Sequence, residues 1–378
     1  MKFMHLSDLH LGKRVHEYSM IEDQEYILKE IADIAAEEKV DAVLIAGDIY
    51  DKSIPTEEAV NLLDHFLFTL AAQNHGVWLI SGNHDSAERV AFGSRLMRGK
   101  NIHIAPPYRG RLHTVAVEDE YGPLEITLLP FIKPSQVKRF FPEEEIRTYT
   151  DAIRAVLREG ENRGQRRILM THQFVTGALS CESEEPVVGG IDHVELSAFE
   201  DFDYVALGHL HSPQQIGKET VRYCGTPLKY SFSEVSQEKS VTIVTMKEKG
   251  NVSVATRPLH PRRDLKQIRG TYEELTQRSF YENTSYRENY MHITLTDEED
   301  VPDAVSRLQV IYPYIMKLDY DNTRTKNRRR IDAAEEAENR SPMELFEELY
   351  ELQNNQPMSE KQRAFAAALM EKVMEEEV

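Results

Sequence analysis

Five times along this chain a short, unbroken apolar run stops at a histidine, an amide or an acid. "KFMHLSDLH" passes from Phe3 to Leu6 into Asp8 and His10, and "DAVLIAGDIYD" passes from Val43 to Ala46 into Gly47, Asp48 and Asp51. "GVWLISGNHD" runs into Asn83, His84 and Asp85, "RRILMTHQ" into His172, and "DYVALGHLH" into His209 and His211. An apolar run without alternation reads as a strand buried on both faces. Helical periodicity falls between several of these strands. Residues 22–38 space Ile27, Ile31, Ile34 and Ala35 along one side, and residues 56–73 do the same with Val60, Leu63, Leu67 and Leu70. A third helix is expected over 86–98. Strands alternating with helices predict a layered α/β domain. Ligands of such domains bind beyond the carboxyl ends of the strands. All five polar clusters sit at that end, so they converge if the strands share one sheet.

The convergent set is Asp8, His10, Asp48, Asn83, His172, His209 and His211. It offers oxygen and nitrogen donors and no thiolate, which suits Mn²⁺, Fe²⁺ or Zn²⁺. A structural zinc site needs only four ligands. Seven candidates suffice for two cations, with Asp48 best placed to bridge them. The chemistry such a pair performs well is hydrolysis at a phosphoryl group. Asp85 has two readings: an acceptor that orients the His84 imidazole, or a charge at a helix N-terminus.

Bulk properties narrow the class. The 378 residues exceed one ordinary core, so two domains and an appendage are expected. No apolar run is long enough to cross a bilayer, and "MKFMHLSDLH" does not read as a signal peptide. The only two cysteines, Cys181 and Cys224, lack pair spacing, which suggests a reducing, cytoplasmic setting. A net charge of −19 argues against a generic nucleic-acid binder. Local basic runs qualify that objection: "RPLHPRRDLKQIRG" and "NTRTKNRRRID" (322–332) could form positive patches for phosphate contact.

In order, "DLH", "GDIYD", "GNHD", a lone "TH" and "GHLH" resemble the calcineurin-type metallophosphoesterase superfamily. With "SDLHLGK" and "RYCGTPLKYSF" (222–232), the layout resembles its SbcD branch, nuclease subunits that pair with a large ATPase. The resemblance implies a layered α/β/β/α metallophosphoesterase domain with a small α+β cap domain and C-terminal helices. It implies two Mn²⁺ ions, with Mg²⁺ or another divalent metal as a substitute. Asp8, His10, Asp48 and His211 would hold one ion. Asp48, Asn83, His172 and His209 would hold the other. His84 would be catalytic, contacting the scissile phosphate and assisting the leaving oxygen. Some relatives carry a second functional histidine where this chain has Asp51, so that role is not carried over.

The expected organisation is a nuclease domain over 1–260, a linker over 261–275, a DNA-capping domain over 276–335 and a helical tail over 341–378. "VRYC", "KSVTIVTM" and "VSVATRPL" read as strands that finish the first domain. "YMHITLT", a helical "VPDAVSRLQVIY" and "YIMKLDYDN" give the second a β-α-β signature. In the tail, Leu345, Phe346, Leu349 and Leu352 line one amphipathic helix, and Phe365, Leu369 and Val373 a second. The resemblance assigns these helices to an SbcC-type ATPase partner. It also implies a homodimer through the nuclease domain, for which apolar residues around 55–70 or 86–97 could serve. No Gly-rich phosphate loop is present, so ATP would enter through the partner. The expected activity is Mn²⁺-dependent hydrolysis of DNA phosphodiesters, exonucleolytic at duplex ends and endonucleolytic on single strands and hairpins. The alternatives are a metallophosphatase or cyclic-nucleotide phosphodiesterase on the same scaffold, and a catalytically degenerate scaffold subunit.

Overall fold

A computed structural model describes residues 1–158, 164–179 and 193–325, together with isolated positions between 343 and 369. The chain divides into two compact units, Met1–Asp264 and Leu265–Val378.

The first unit is built on two six-stranded sheets. One has the order Val252–Pro258, Ser240–Met246, Lys2–Leu6, Ala42–Ala46, Gly76–Ile80 and Ile102–Ile104. The other runs Gln214–Ile216, Lys218–Tyr223, Tyr204–Gly208, Arg166–His172, Gly122–Leu129 and His113–Asp119. The central strands of each are parallel; the second sheet's two edges and the Val252–Pro258 side of the first are antiparallel, whereas the Ile102–Ile104 edge is parallel. Phe3, Leu44, Trp78 and Ile80 of the first sheet pack with Ile126, Ile168, Met170 and Tyr204 of the second in one buried core. The outer face of the second sheet packs on the helix Tyr149–Leu157 through Ile153, Val156, Leu169 and Val205.

Two helices flank the first sheet's connections. Helix α1 (Ile21–Glu38) buries Ile27, Leu28, Ile31, Ile34 and Ala35, and Lys39 ends it in the left-handed region at φ 52°. Helix α2 (Glu57–Ala72) starts at Thr56, whose side chain accepts the Ala59 N–H at 3.3 Å. Its buried side carries Ala59, Leu62, Leu63, Phe66, Leu67 and Leu70. Val60, expected on that side, faces outward instead.

Three sequence expectations change. The five strands do not share one sheet: three lie in the first and two in the second. The third helix is broken into Ala87–Val90 and Ser94–Met97, because Gly93 sits between them at φ 74°. Part of the expected linker is ordered secondary structure, since Leu265–Gly270 is a strand and Tyr272–Thr276 a helix with a Thr271 capping box. Apolar Leu265, Ile268 and Leu275 are all buried, which a basic composition conceals.

Arg269 pairs with Asp321 in the second unit, and the basic residues just before Asp264 pair within the first. Arg257 pairs with Glu37 and Glu38, His260 with Glu30, Arg262 with Glu22, and Arg263 lies 3.8 Å from Asp23. Every one of these acids belongs to α1. Residues 257–263 thus strap the helix, and their charges are paired with it.

The second unit has a parallel sheet of Leu265–Gly270, Tyr290–Leu295 and Ile315–Tyr320. One face packs Ile268, Met291, Ile293 and Leu295 on Leu275, Leu308 and Tyr312. Alternation places Gln267, Arg269, His292, Thr294, Lys317 and Asp319 on the other. Of the run 322–332, Arg324 pairs with Asp300, and 326–332 lies outside the described residues. Most of the tail, including Leu345, Leu349, Leu352 and Val373, lies outside them as well. Among the described residues no helix is long and apolar enough to cross a membrane.

Candidate metal centre

Although the five strands lie in two sheets, their carboxyl ends meet. Within each sheet the parallel register aligns those ends: Leu6 lies beside Ile45, Ala46 beside Ile80, and His172 beside Gly208. The sheets are then tied together near the rim. His172 Nδ1 donates to Ala46 O at 2.9 Å, and buried His5 reaches Tyr204 Oη at 2.9 Å and Leu207 O at 3.2 Å. Two glycines permit the closest approaches. A Cβ on Gly208 would stand 1.9 Å from Ala46 O, and one on Gly82 would stand 2.1 Å from Asp48 Oδ1.

The loops leaving the strands run alongside one another. Asp8 N–H donates to Gly47 O and His10 N–H to Asp48 O, both at 3.0 Å. Asp8, His10, Asp48 and His209 all hold positive φ, at 54°, 44°, 48° and 108°. Such a conformation costs an L-residue about 1 kcal/mol or more, and it turns four donor side chains inward. Gln24 clamps the first loop by donating to His10 O at 2.8 Å and accepting Gly12 N–H at 3.0 Å. Tyr230 donates to Leu9 O at 2.7 Å.

All eight residues singled out in the sequence come together. Asn83 Oδ1 lies 2.9 Å from His172 Nε2 and 3.0 Å from His209 Nδ1. Asp48 Oδ2 is 3.3 Å from His172 Nε2, 3.7 Å from His10 Nε2 and 3.9 Å from His84 Nε2. His10 Nε2 is 3.1 Å from His211 Nε2. Asp8 accepts the His209 N–H at 3.1 Å and the Ser7 hydroxyl. Three donor groups are compact enough to hold a cation: Asp8 with His10 and His211, Asp8 with Asp48 and His172, and His10 with Asp48 and His84.

The tautomers follow from the partners. A carbonyl only accepts, so His172 carries a proton on Nδ1; burial opposes its charge, but Asp48 and Asp8 raise it to about 9, so without a cation Nε2 is protonated too and faces Asp48 and Asn83. By the same reasoning His84 donates from Nδ1 to Asp51 O at 3.1 Å and leaves Nε2 facing the centre. Asp8, His10, Asp48, His172 and His211 are buried, whereas the His84 side chain is 25% exposed. Asn83 and His209 are partly exposed as well, so this side of the cluster is open to an incoming molecule.

Electrostatics separate the two central carboxylates. Burial pushes Asp8 up to about 6, opposed by His172 and reinforced by Asp48. Burial also works against ionised Asp48, but His172 and His10 hold it well below the usual carboxylate range. His209 falls to about 3 through burial and the neighbouring His172. A divalent cation fits this donor set. It would satisfy inward-facing imidazole and carboxylate groups that crowd one another, and His10 Nδ1 is buried with no hydrogen-bond partner among the described residues.

Asp85 takes neither of its expected roles. Its carboxylate accepts the N–H groups of Ile49 at 3.0 Å, Tyr50 at 2.9 Å and Gly82 at 2.9 Å. It therefore splices the Asp48 loop to the Asn83 loop. Asp51 forms an ion pair with Lys13 at 2.7 Å. The sequence reading missed Gln24, Tyr230, Glu234 and Lys239. Only Tyr230 had a signal, through its place in "TPLKYSF".

Comparison with known proteins agrees with this geometry. Residues 1–213 match the family model described as calcineurin-like phosphoesterase, and residues 261–354 match the type 5 capsule protein repressor C-terminal domain. The SbcD component of the SbcCD nuclease of Staphylococcus epidermidis is 33% identical over 84% of this chain and 85% of its own. The protein of the same name from Staphylococcus saprophyticus is 33% identical over 84% of each chain. The chain therefore belongs to the calcineurin-like phosphoesterase family, in the branch formed by the SbcD components of SbcCD nucleases.

Proposed function

We propose that this chain is the metal-dependent DNA nuclease subunit of an SbcCD-type complex acting in DNA end processing and repair. The observation that carries the reading is the meeting of eight donor-bearing residues from five strand ends around Asp48 and Asn83. Asp8, His10, Asp48 and His211 would hold one Mn²⁺, and Asp48, Asn83, His172 and His209 the other. When bound, such a pair neutralises phosphodiester charge and brings the pKa of water toward neutrality. The protein supplies the rest. Asp85 and Gln24 fix the loops, and Asp51 O fixes the His84 ring. His84 Nε2 then holds or delivers a proton at the departing oxygen.

The names of the relatives support nuclease action; we ourselves assign DNA as substrate, with exonucleolytic action at duplex ends and endonucleolytic action on single strands and hairpins. The same names support assembly with an SbcC-type partner, which we assign as an ATPase docked by the C-terminal helices. Exposed Phe346, Phe365 and Leu369 fit that assignment. The second unit, including 276–335, would serve as the DNA-capping domain through backbone contacts. Self-association through the first unit is supported by exposed Ile54, Val60 and Phe68 near α2 and by Phe92 and Leu96 beyond it.

The test offers the purified chain a labelled hairpin DNA and an aryl phosphodiester, each with Mn²⁺ or Mg²⁺. Cleavage of both is expected. Aryl ester cleavage with intact DNA, even after the ATPase is added, would favour a small-molecule phosphodiesterase. His84→Ala should abolish turnover while metal content stays unchanged, whereas Asp48→Ala should lose metal too. Activity in both variants would overturn the assigned roles.

A further inference from the structure

Behind the metal centre lies a buried ion pair that the chemistry above does not use. Lys239 and Glu234 are 5% and 0% exposed. The Lys239 ammonium donates to Glu234 Oε2 at 2.6 Å and lies 2.8 Å from each of His211 O, Thr226 Oγ1 and Gln237 Oε1. The other Glu234 oxygen accepts the Tyr230 N–H at 3.3 Å and stands 3.8 Å from His211 Nδ1. His211 is thus gripped from both sides, its carbonyl by Lys239 and Thr226 N–H, its ring by the Glu234 carboxylate.

A buried ion pair is a poor source of stability. Replacing one with apolar groups of similar volume is often neutral or stabilising. A pair this enclosed, aimed at one side chain of the cluster, points to another use. We propose that Glu234 and Lys239 are positioning residues for His211. The Glu234 charge, 3.8 Å from Nδ1, favours the His211 proton on that nitrogen, so the Nε2 lone pair faces the space shared with His10 and Asp8. Lys239 holds Glu234 in place and fixes the His211 backbone. Carboxylates behind ligating histidines set the tautomer and ring orientation in this way, and losing one typically weakens metal affinity about 10–100-fold. This inference rests on the reading of His211 as a metal ligand.

The test uses the full chain and measures Mn²⁺ binding by calorimetry without substrate. Glu234→Leu combined with Lys239→Met removes both charges at once. The double variant should unfold at a urea concentration no lower than wild type, yet bind one of two Mn²⁺ ions about 10–100-fold more weakly. Glu234→Asp should recover part of that loss. Nitrogen NMR of the metal-free chain should show His211 shifting from the Nδ1–H tautomer toward a mixture. A folded double variant with wild-type Mn²⁺ affinity at both sites would overturn the proposal. Should the double variant fail to fold, Glu234→Gln carries the test, since it keeps the volume and an acceptor for Tyr230 N–H. A threefold or larger loss of affinity then supports the positioning role, and none overturns it. His211→Ala separates the two readings: wild-type binding there would mean that His211 is no ligand, and the metal-centre reading itself would fall.

Discussion

Gly208→Ala tests whether the approach of the two sheets builds the centre. The added methyl would stand 1.9 Å from Ala46 O and 2.7 Å from His172 Nδ1. Reaching even the 3.0 Å that real Cβ atoms respect requires roughly 1.1 Å of separation between two backbones. Neither is a flexible side chain that can swing aside. Overpacking of this kind costs about 1–3 kcal/mol. Lengthening the buried bond from His172 Nδ1 to Ala46 O adds about 1–3 kcal/mol. A total near 4 kcal/mol (about 2–6) leaves a protein of ordinary stability folded, with its urea midpoint lowered by about 1–2 M. Turnover should suffer more, because a displacement of about 1 Å at a site can cost about 100-fold. Gly99→Ala is the control. Neither Gly99 nor Gly208 has positive φ, and among the described residues nothing lies within 4 Å of the Cβ added at Gly99, so it reports the substitution without the clash. The assays are urea unfolding, Mn²⁺ stoichiometry and cleavage of the aryl phosphodiester. If Gly208→Ala matches Gly99→Ala in all three, the sheets do not position the centre as argued.

Other outcomes follow from particular contacts. Burial, with help from Arg222, lowers His5 to about 3, whereas an unfolded histidine titrates near 6.5. Below pH 6.5 the unfolded chain takes up a proton that the folded chain refuses, so stability is lost as pH falls toward 3. At pH 5 the loss from this one group is about 2 kcal/mol. Urea unfolding at pH 7.5 and pH 5 should therefore show a smaller pH-dependent loss in His5→Gln than in wild type, by about that amount; equal losses would refute the buried neutral ring. Arg257→Ala with Arg262→Ala should leave the salt dependence of DNA binding unchanged, because both side chains pair with α1. Direct phosphate contact would instead lower the slope by about 0.9 per residue. Asp85→Asn should weaken Mn²⁺ binding and stability together, since an amide cannot replace both oxygens that accept the N–H groups of Ile49, Tyr50 and Gly82. An unchanged Mn²⁺ affinity would show that the two loops hold their positions without it.

Much of the fold was legible because both faces of the central strands are buried. The runs at Val43–Ala46 and Val77–Ile80 carry no polar residue, so strand and terminus can be read directly. What the pattern cannot carry is which sheet a strand joins. Ile168–Met170 reads like Val77–Ile80, yet the former lies in the second sheet and the latter in the first. Convergence survived that misplacement because the sheets face each other with their carboxyl ends at the same rim. The basic stretch misled for a related reason. Its partners on α1 precede it by about 220–240 residues, and no local pattern announces such a pairing.

The candidate site divides along the same line. His172 ends a strand, and Asp8, His10, Asp48, Asn83, His84, His209 and His211 each follow one within four residues, so a short window contains both the residue and its placement. Asp85 shares such a window with His84, and the window suggests an exchange between neighbours. Its carboxylate instead reaches back 35 and 36 residues to the backbone of Tyr50 and Ile49. Adjacency in sequence was a poor guide because a turn that presents His84 to the centre points the next side chain away from it. Glu234 and Lys239 were hidden more completely. An acid and a base five residues apart on a polar stretch look like solvated charges, and only the fold reveals that both are enclosed beside His211. The groups that can bind a cation were therefore written where strands end, and the groups that hold them in place were written wherever the chain happened to return.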